Sequence, residues 1–81
     1  MDATRKRGLA RLMLRWPDRR AALKERFLCD PSVSELCEAY ETACEAVAYW
    51  AKSHDAVANE RSDEYRSLAA ETEKDILRLI S

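Results

Sequence analysis

Ser53-His54-Asp55-Ala56-Val57-Ala58-Asn59 holds neither glycine nor proline, yet the fold turns on whether a helix ends inside it. A helix running straight through would place Arg61, Glu64, Glu71, Asp75 and Arg78 at the heptad positions that follow Val57. Those residues cannot make an apolar seam. The apolar stripe restarts instead in a new phase, through Tyr65, Leu68, Ala69, Thr72, Ile76, Leu79 and Ile80. A loss of phase marks a turn, with Asp55, Asn59 or Ser62 as candidate caps of the last helix. Folding the chain back near Ala56 sets Leu36 beside Leu77, Cys44 beside Ala69, and Val47 beside Tyr65. Small residues then face small, and large face large at the ends.

Upstream of this turn, Asp30-Pro31-Ser32-Val33-Ser34-Glu35 starts a helix in either of two ways. Asp30 caps with Pro31 at the first helical position, or Ser32 caps with Glu35 closing a capping box. The stripe Val33, Leu36, Cys37, Tyr40, Ala43, Cys44, Val47, Trp50 and Ala51 follows, with Glu35, Glu38, Glu41 and Glu45 set toward water. Residues 33–54 would span about 33 Å at the helical rise. Nearer the N-terminus, Leu9, Leu12, Met13 and Trp16 fall at helical spacing, with Arg7, Arg11 and Arg15 opposite. Pro17 restricts Trp16 to extended geometry and suits the start of a new helical piece, which carries Leu23 and Phe27 inward. Apolar residues never alternate in a run, so no sheet is expected. The expected fold is all-α: an antiparallel helical hairpin over about 32–54 and 59–80, preceded by a Pro-interrupted basic helical segment over about 3–28. We read 1–81 as one domain, with 1–28 a basic arm and 30–81 an acidic hairpin.

Eighty-one residues bury only about 60% of the unfolded surface, so oligomerisation is expected to complete the core. Residues 1–29 carry nine Lys/Arg against three Asp/Glu, a balance of +6. Residues 30–81 carry five against twelve, a balance of −7. Opposite signs attract, within one chain or between two. No apolar run is long enough to cross a bilayer, and Arg11 and Arg15 interrupt any signal-peptide core. Three cysteines cannot all pair within the chain, so a reducing cytoplasm is the expected location.

Cys37 and Cys44 share one helix face about 10.5 Å apart along the axis, too far for a disulfide or for one metal without other ligands. With no Cys-x-x-Cys and one histidine, neither metal nor cofactor is expected. Cys37 and Cys44 read as small packing residues, and Cys29 as the looser thiol, with redox chemistry at any of the three as the alternative. His54 reads as a cation near a helix C-terminus, and Glu71, Glu73 and Asp75 as a solvated face. Tyr40, Tyr65 and Trp50 read as core. Arg5, Lys6, Arg7, Arg11, Arg15, Arg19 and Arg20 form the one functional temptation. They could meet phosphates, or an anionic membrane with the apolar residues of the same helix; the bland alternative pairs them with the hairpin's glutamates.

Trp16-Pro17-Asp18-x-Arg20, Asp30-Pro31 leading to Leu36 and Tyr40, and Glu64-Tyr65-x-x-Leu68 with Asp75-Ile76 together resemble small uncharacterised bacterial helical-hairpin proteins of the YdcH-like kind. The resemblance covers roughly 16–80 and implies a short antiparallel helical pair with no assigned catalytic activity. This chain departs from that pattern in its three cysteines and longer arginine-rich N-terminus.

The expected function is a non-catalytic protein–protein interaction or assembly module, a homo-oligomer through the hairpin with a further protein partner unidentified. A nucleic-acid-associated protein using the N-terminal arginines is the alternative, and a thiol-based redox-responsive module the third.

Overall fold

A computed structural model describes residues 2–81, which form helices and short connections only. The protein is all-α. Helix α1 runs Asp2–Arg15, α2 Arg20–Cys29, α3 Pro31–Ala51 and α4 Ala58–Ile80, with a 3-10 turn at Pro17–Arg19 between α1 and α2.

Each boundary has a local cause. Trp16 leaves the helical region (φ −124°, ψ 72°), as the residue before a proline does, and Pro17 opens the 3-10 turn. Asp30 is extended (φ −118°, ψ 108°), and its carboxylate accepts from Ser32 N at 2.9 Å with Pro31 in the first helical position. The second of the two capping schemes, on Ser32, is not the one used. Helix α3 stops at Ala51, three residues short of the expected His54, which is exposed in the connection. Asp55 prepares α4: its Oδ1 accepts from Val57 N at 3.1 Å and its carbonyl from Ala58 N at 3.0 Å. This is an Asx-turn ahead of the helix rather than a cap on it, since Val57 holds the capping position without a side-chain bond.

Helices α3 and α4 pack along each other, with Tyr40 Oη donating to Glu73 Oε2 at 2.6 Å. Helix α1 lies on α3 in the same direction, because Arg5, Gly8 and Arg11 meet Ser34, Cys37 and Glu41 in turn. Gly8 explains how closely. A Cβ at Gly8 would collide with the Cys37 carbonyl oxygen, so only glycine permits this approach of the two backbones.

The core is Leu12, Leu23, Val33, Cys37, Ile76 and Ile80, closed by Tyr40. All of it sits where α1 and α2 cover the α3–α4 pair. Toward the connecting loop the pair loses that cover, and the only buried side chains there are the small Ala58 and Ser62. The longest dimension, 42 Å against 23 and 20 Å, is close to the length of α4 alone, about 35 Å, with the loop beyond it.

Candidate functional site

Where α1 ends, an open cleft of about 380 Å³ lies between α1, α3 and α4. Arg11 and Arg15 form its α1 wall, and Cys44 and Val47 its α3 wall. Arg66, Ala69, Ala70 and Glu73 line it from α4. Three guanidiniums therefore border a floor that is mostly small and apolar.

The local helices place these groups for simple reasons. Arg11 and Arg15 are one helical turn apart on α1, so both stand on the same face. Arg11 Nε pairs with Glu41 Oε1, and Arg15 Nε pairs with Glu73 Oε2 at 2.8 Å. Glu73 thus receives Arg15 and Tyr40 on one oxygen. Arg66 has a weaker neighbour, Asp63 of its own helix at 3.7 Å, with both side chains exposed. The hydrogen bond to Glu41 and the adjoining negative charge hold the Arg11 proton more tightly than usual. Burial pushes the Cys44 thiol up, against the opposing pull of Arg11, so the thiol is neutral at neutral pH. Burial also raises Cys37, to about 11, and burial with the Glu73 hydrogen bond raises Tyr40.

The seven basic residues singled out in sequence divide into three groups. Arg11 and Arg15 meet carboxylates, and Arg5 lies 3.5 Å from Ser34 Oγ and 3.7 Å from Glu38. Arg20 donates from Nε to the Met13 carbonyl at 3.1 Å and so steadies the α1–α2 corner. Lys6, Arg7 and Arg19 are exposed and make no ion pair among the described residues. Of the three arginines placed opposite the apolar face by periodicity, Arg11 and Arg15 therefore meet carboxylates of α3 and α4, and Arg7 stays exposed. Arginine has the length and the apolar stem to reach back in this way.

Five expectations about single residues need correction. Glu41, set toward water by its position off the stripe, is 3% exposed because Arg11 covers it. Glu73, read as part of a solvated face, is half-buried between Arg15 and Tyr40. Leu68, read as inward, is 50% exposed. Tyr65 and Trp50 are half-buried rather than core, and Trp50 meets Tyr49 edge-to-face with centroids 5.1 Å apart. Of the three candidate redox thiols, Cys37 is buried, Cys44 half-buried and Cys29 exposed. Among the described residues no helix is long and apolar enough to cross a membrane.

Sequence reasoning missed the cleft itself. The available signal was the pair Arg11 and Arg15 with Glu41 and Glu73, charges of opposite sign on faces that had to meet. No known protein family, curated protein or solved structure matches the chain.

Proposed function

We propose that the chain is a non-catalytic assembly module in which α3 and α4 form an antiparallel hairpin whose loop-side half pairs with a second copy. The observation that carries this reading is the uncovered loop-side half. Ala46 and Trp50 on α3 and Tyr65 and Leu68 on α4 follow helical rows of spacing three and four, and none is buried. Two helices alone bury one face each, and a second pair completes a four-helix bundle.

The chemistry of the patch suits a copy of itself. Small Ala46 on one helix and larger Leu68 on the other let a two-fold pair set knob against notch. The flanking charges include Glu45, Arg61, Glu64 and Arg66, and such mixed signs do not repel an identical surface. The nucleic-acid reading has less support, since Arg5, Arg11 and Arg15 face carboxylates of α3 and α4, which oppose phosphate. A thiol switch is disfavoured at Cys37 and Cys44, whose raised pKa values leave little thiolate. The YdcH-like resemblance fits the same non-catalytic reading.

Light scattering on eluting protein tests it. A mass of twice the 9.3 kDa chain is expected, with Leu68→Glu giving a folded monomer. A wild-type mass that stays monomeric at the highest concentrations would sink the reading.

A further inference from the structure

We infer that the face of α1 and α2 turned away from the hairpin binds an anionic lipid surface, with lysines and arginines on the headgroups and two leucines at the acyl boundary. This goes beyond self-association and does not rest on it.

The inward side of both helices is occupied. Leu12 and Leu23 are fully buried in the core with residues of α3 and α4, and Leu9, Met13 and Trp16 pack on the same core. The apolar residues that periodicity sets on one face of α1 are therefore not free to enter a membrane. Two other leucines are. Leu14 is 76% exposed and Leu28 83%, the highest values of any large hydrophobic side chain among the described residues. At about 100° per residue, Leu14 stands roughly 160° around α1 from Leu12, and Leu28 roughly 140° around α2 from Leu23. Since Leu12 and Leu23 point at the hairpin, both exposed leucines point away from it. Ala10 and Ala21 lie on the same outward faces, small and exposed, so they do not screen the leucines.

The charge around these leucines is not neutralised, in contrast to Arg11 and Arg15. Lys6, Arg7, Arg19, Lys24 and Arg26 are exposed and make no ion pair among the described residues. Against them, residues 3–29 hold two acids, Asp18 and Glu25. A positive surplus therefore remains on these helices after every arginine that meets a carboxylate is left out. Arg7 shares the outward row of Leu14, and Lys24 stands one helical turn before Leu28.

Together these features select the partner. Isolated leucines among cations offer too little contiguous apolar area for a shaped protein socket, whereas a fluid bilayer accepts single apolar side chains wherever they meet it. A nucleic-acid backbone would use the cations and leave both leucines in water. An anionic bilayer uses both, because apolar burial and attraction to the headgroups add. The long stems of lysine and arginine keep their charged heads at the phosphates while the leucines go deeper.

The test is flotation of the full chain with vesicles of phosphatidylcholine, alone or with about a third phosphatidylserine. Binding to the mixed vesicles is expected, weakening as salt is added and roughly ten-fold lower on phosphatidylcholine alone. Leu14→Ser and Leu28→Ser should each weaken it roughly ten-fold, and Arg7→Gln and Lys24→Gln roughly five-fold. All four positions are exposed, so the variants should keep the parent's thermal melt. No binding to the mixed vesicles at low salt would overturn the inference, as would equal binding to both kinds of vesicle. Leucine variants that bind like the parent would overturn it too, because only a general attraction between charges would then be left. A short DNA duplex bound more tightly than the mixed vesicles, and equally by the leucine variants, would make the face a polyanion site instead. Chain mass is a separate readout, so failure here leaves the assembly reading standing, and the reverse holds too.

Discussion

The α3–α4 pair is one structure with two fates along its length. In the half near Pro31 and Ile80, α1 and α2 cover it, and every member of the buried core cluster is found there or on the covering helices. In the half near the loop, 44–51 and 58–70, no large side chain is buried: Tyr49 is 67% exposed and Leu68 50%, and Val47, Trp50 and Tyr65 are half-buried. Both halves are equally helical. Secondary structure and burial are therefore separate achievements, and the covering arm decides which half becomes core.

The largest expected effect lies at the tightest point of the covered half. Gly8→Ala would ordinarily strengthen a helix interior by about 1 kcal/mol. Here its Cβ meets a backbone carbonyl, so a net loss on the order of 3 kcal/mol is expected in urea denaturation. A gain in stability would remove the close approach on which the comparison depends.

Next comes the charged latch. Arg11→Ala leaves Glu41 buried without its partner and should cost about 2 kcal/mol. Adding Glu41→Gln to that variant should restore part of the loss, because no charge is then stranded. A double-mutant cycle that shows simple additivity would mean that α1 is held by packing alone.

Alkaline pH sharpens the same contrast. Cys37 is lifted from an ordinary value near 9 to about 11 by burial, and Tyr40 and Cys44 are raised as well. An acid with a raised folded pKa is neutral in the fold and ionises first in the unfolded chain. Its contribution is complete below pH 9 and is lost as pH rises toward 11. For Cys37 that loss is on the order of 2 kcal/mol, and Cys37→Ala should flatten the decline between those values in pH-dependent thermal melts.

The smallest effects belong to the loop-side half. Leu68→Glu should change the stability of dilute protein by less than about 0.5 kcal/mol, being half exposed before the change. Ser62→Ala should raise stability by roughly 0.5 kcal/mol, because the Ser62 hydroxyl is buried without a hydrogen-bond partner. A large loss at either position would show that the loop-side half contributes to the core.

The all-α fold and its main boundaries were legible because they are local. Asp30-Pro31 and Trp16-Pro17 act through backbone geometry, and the break between α3 and α4 is a loss of phase that counting reveals, though it places the end of α3 three residues late. That the basic arm would pair with glutamates downstream was legible from charge, but the cleft and the particular partners of Arg11 and Arg15 were not, since they depend on which face of α1 meets which face of the pair. Gly8 shows the difficulty: in sequence it is a lone weak spot in a helix, and only the facing carbonyl of Cys37 gives it a reason. Glu41 and Glu73 misled for a related cause. A carboxylate off the apolar stripe faces water until an arginine from another helix covers it.

Hydrogen exchange of the full chain at two widely separated concentrations tests the central claim most directly, that the loop-side half is a surface awaiting a second copy. Amides of 44–51 and 58–70 are expected to exchange by local opening in dilute protein and to slow as concentration rises. Core amides such as those of Cys37 and Ile76 are expected to change far less. Identical exchange at both concentrations, with the loop-side amides already as protected as the core, would contradict it.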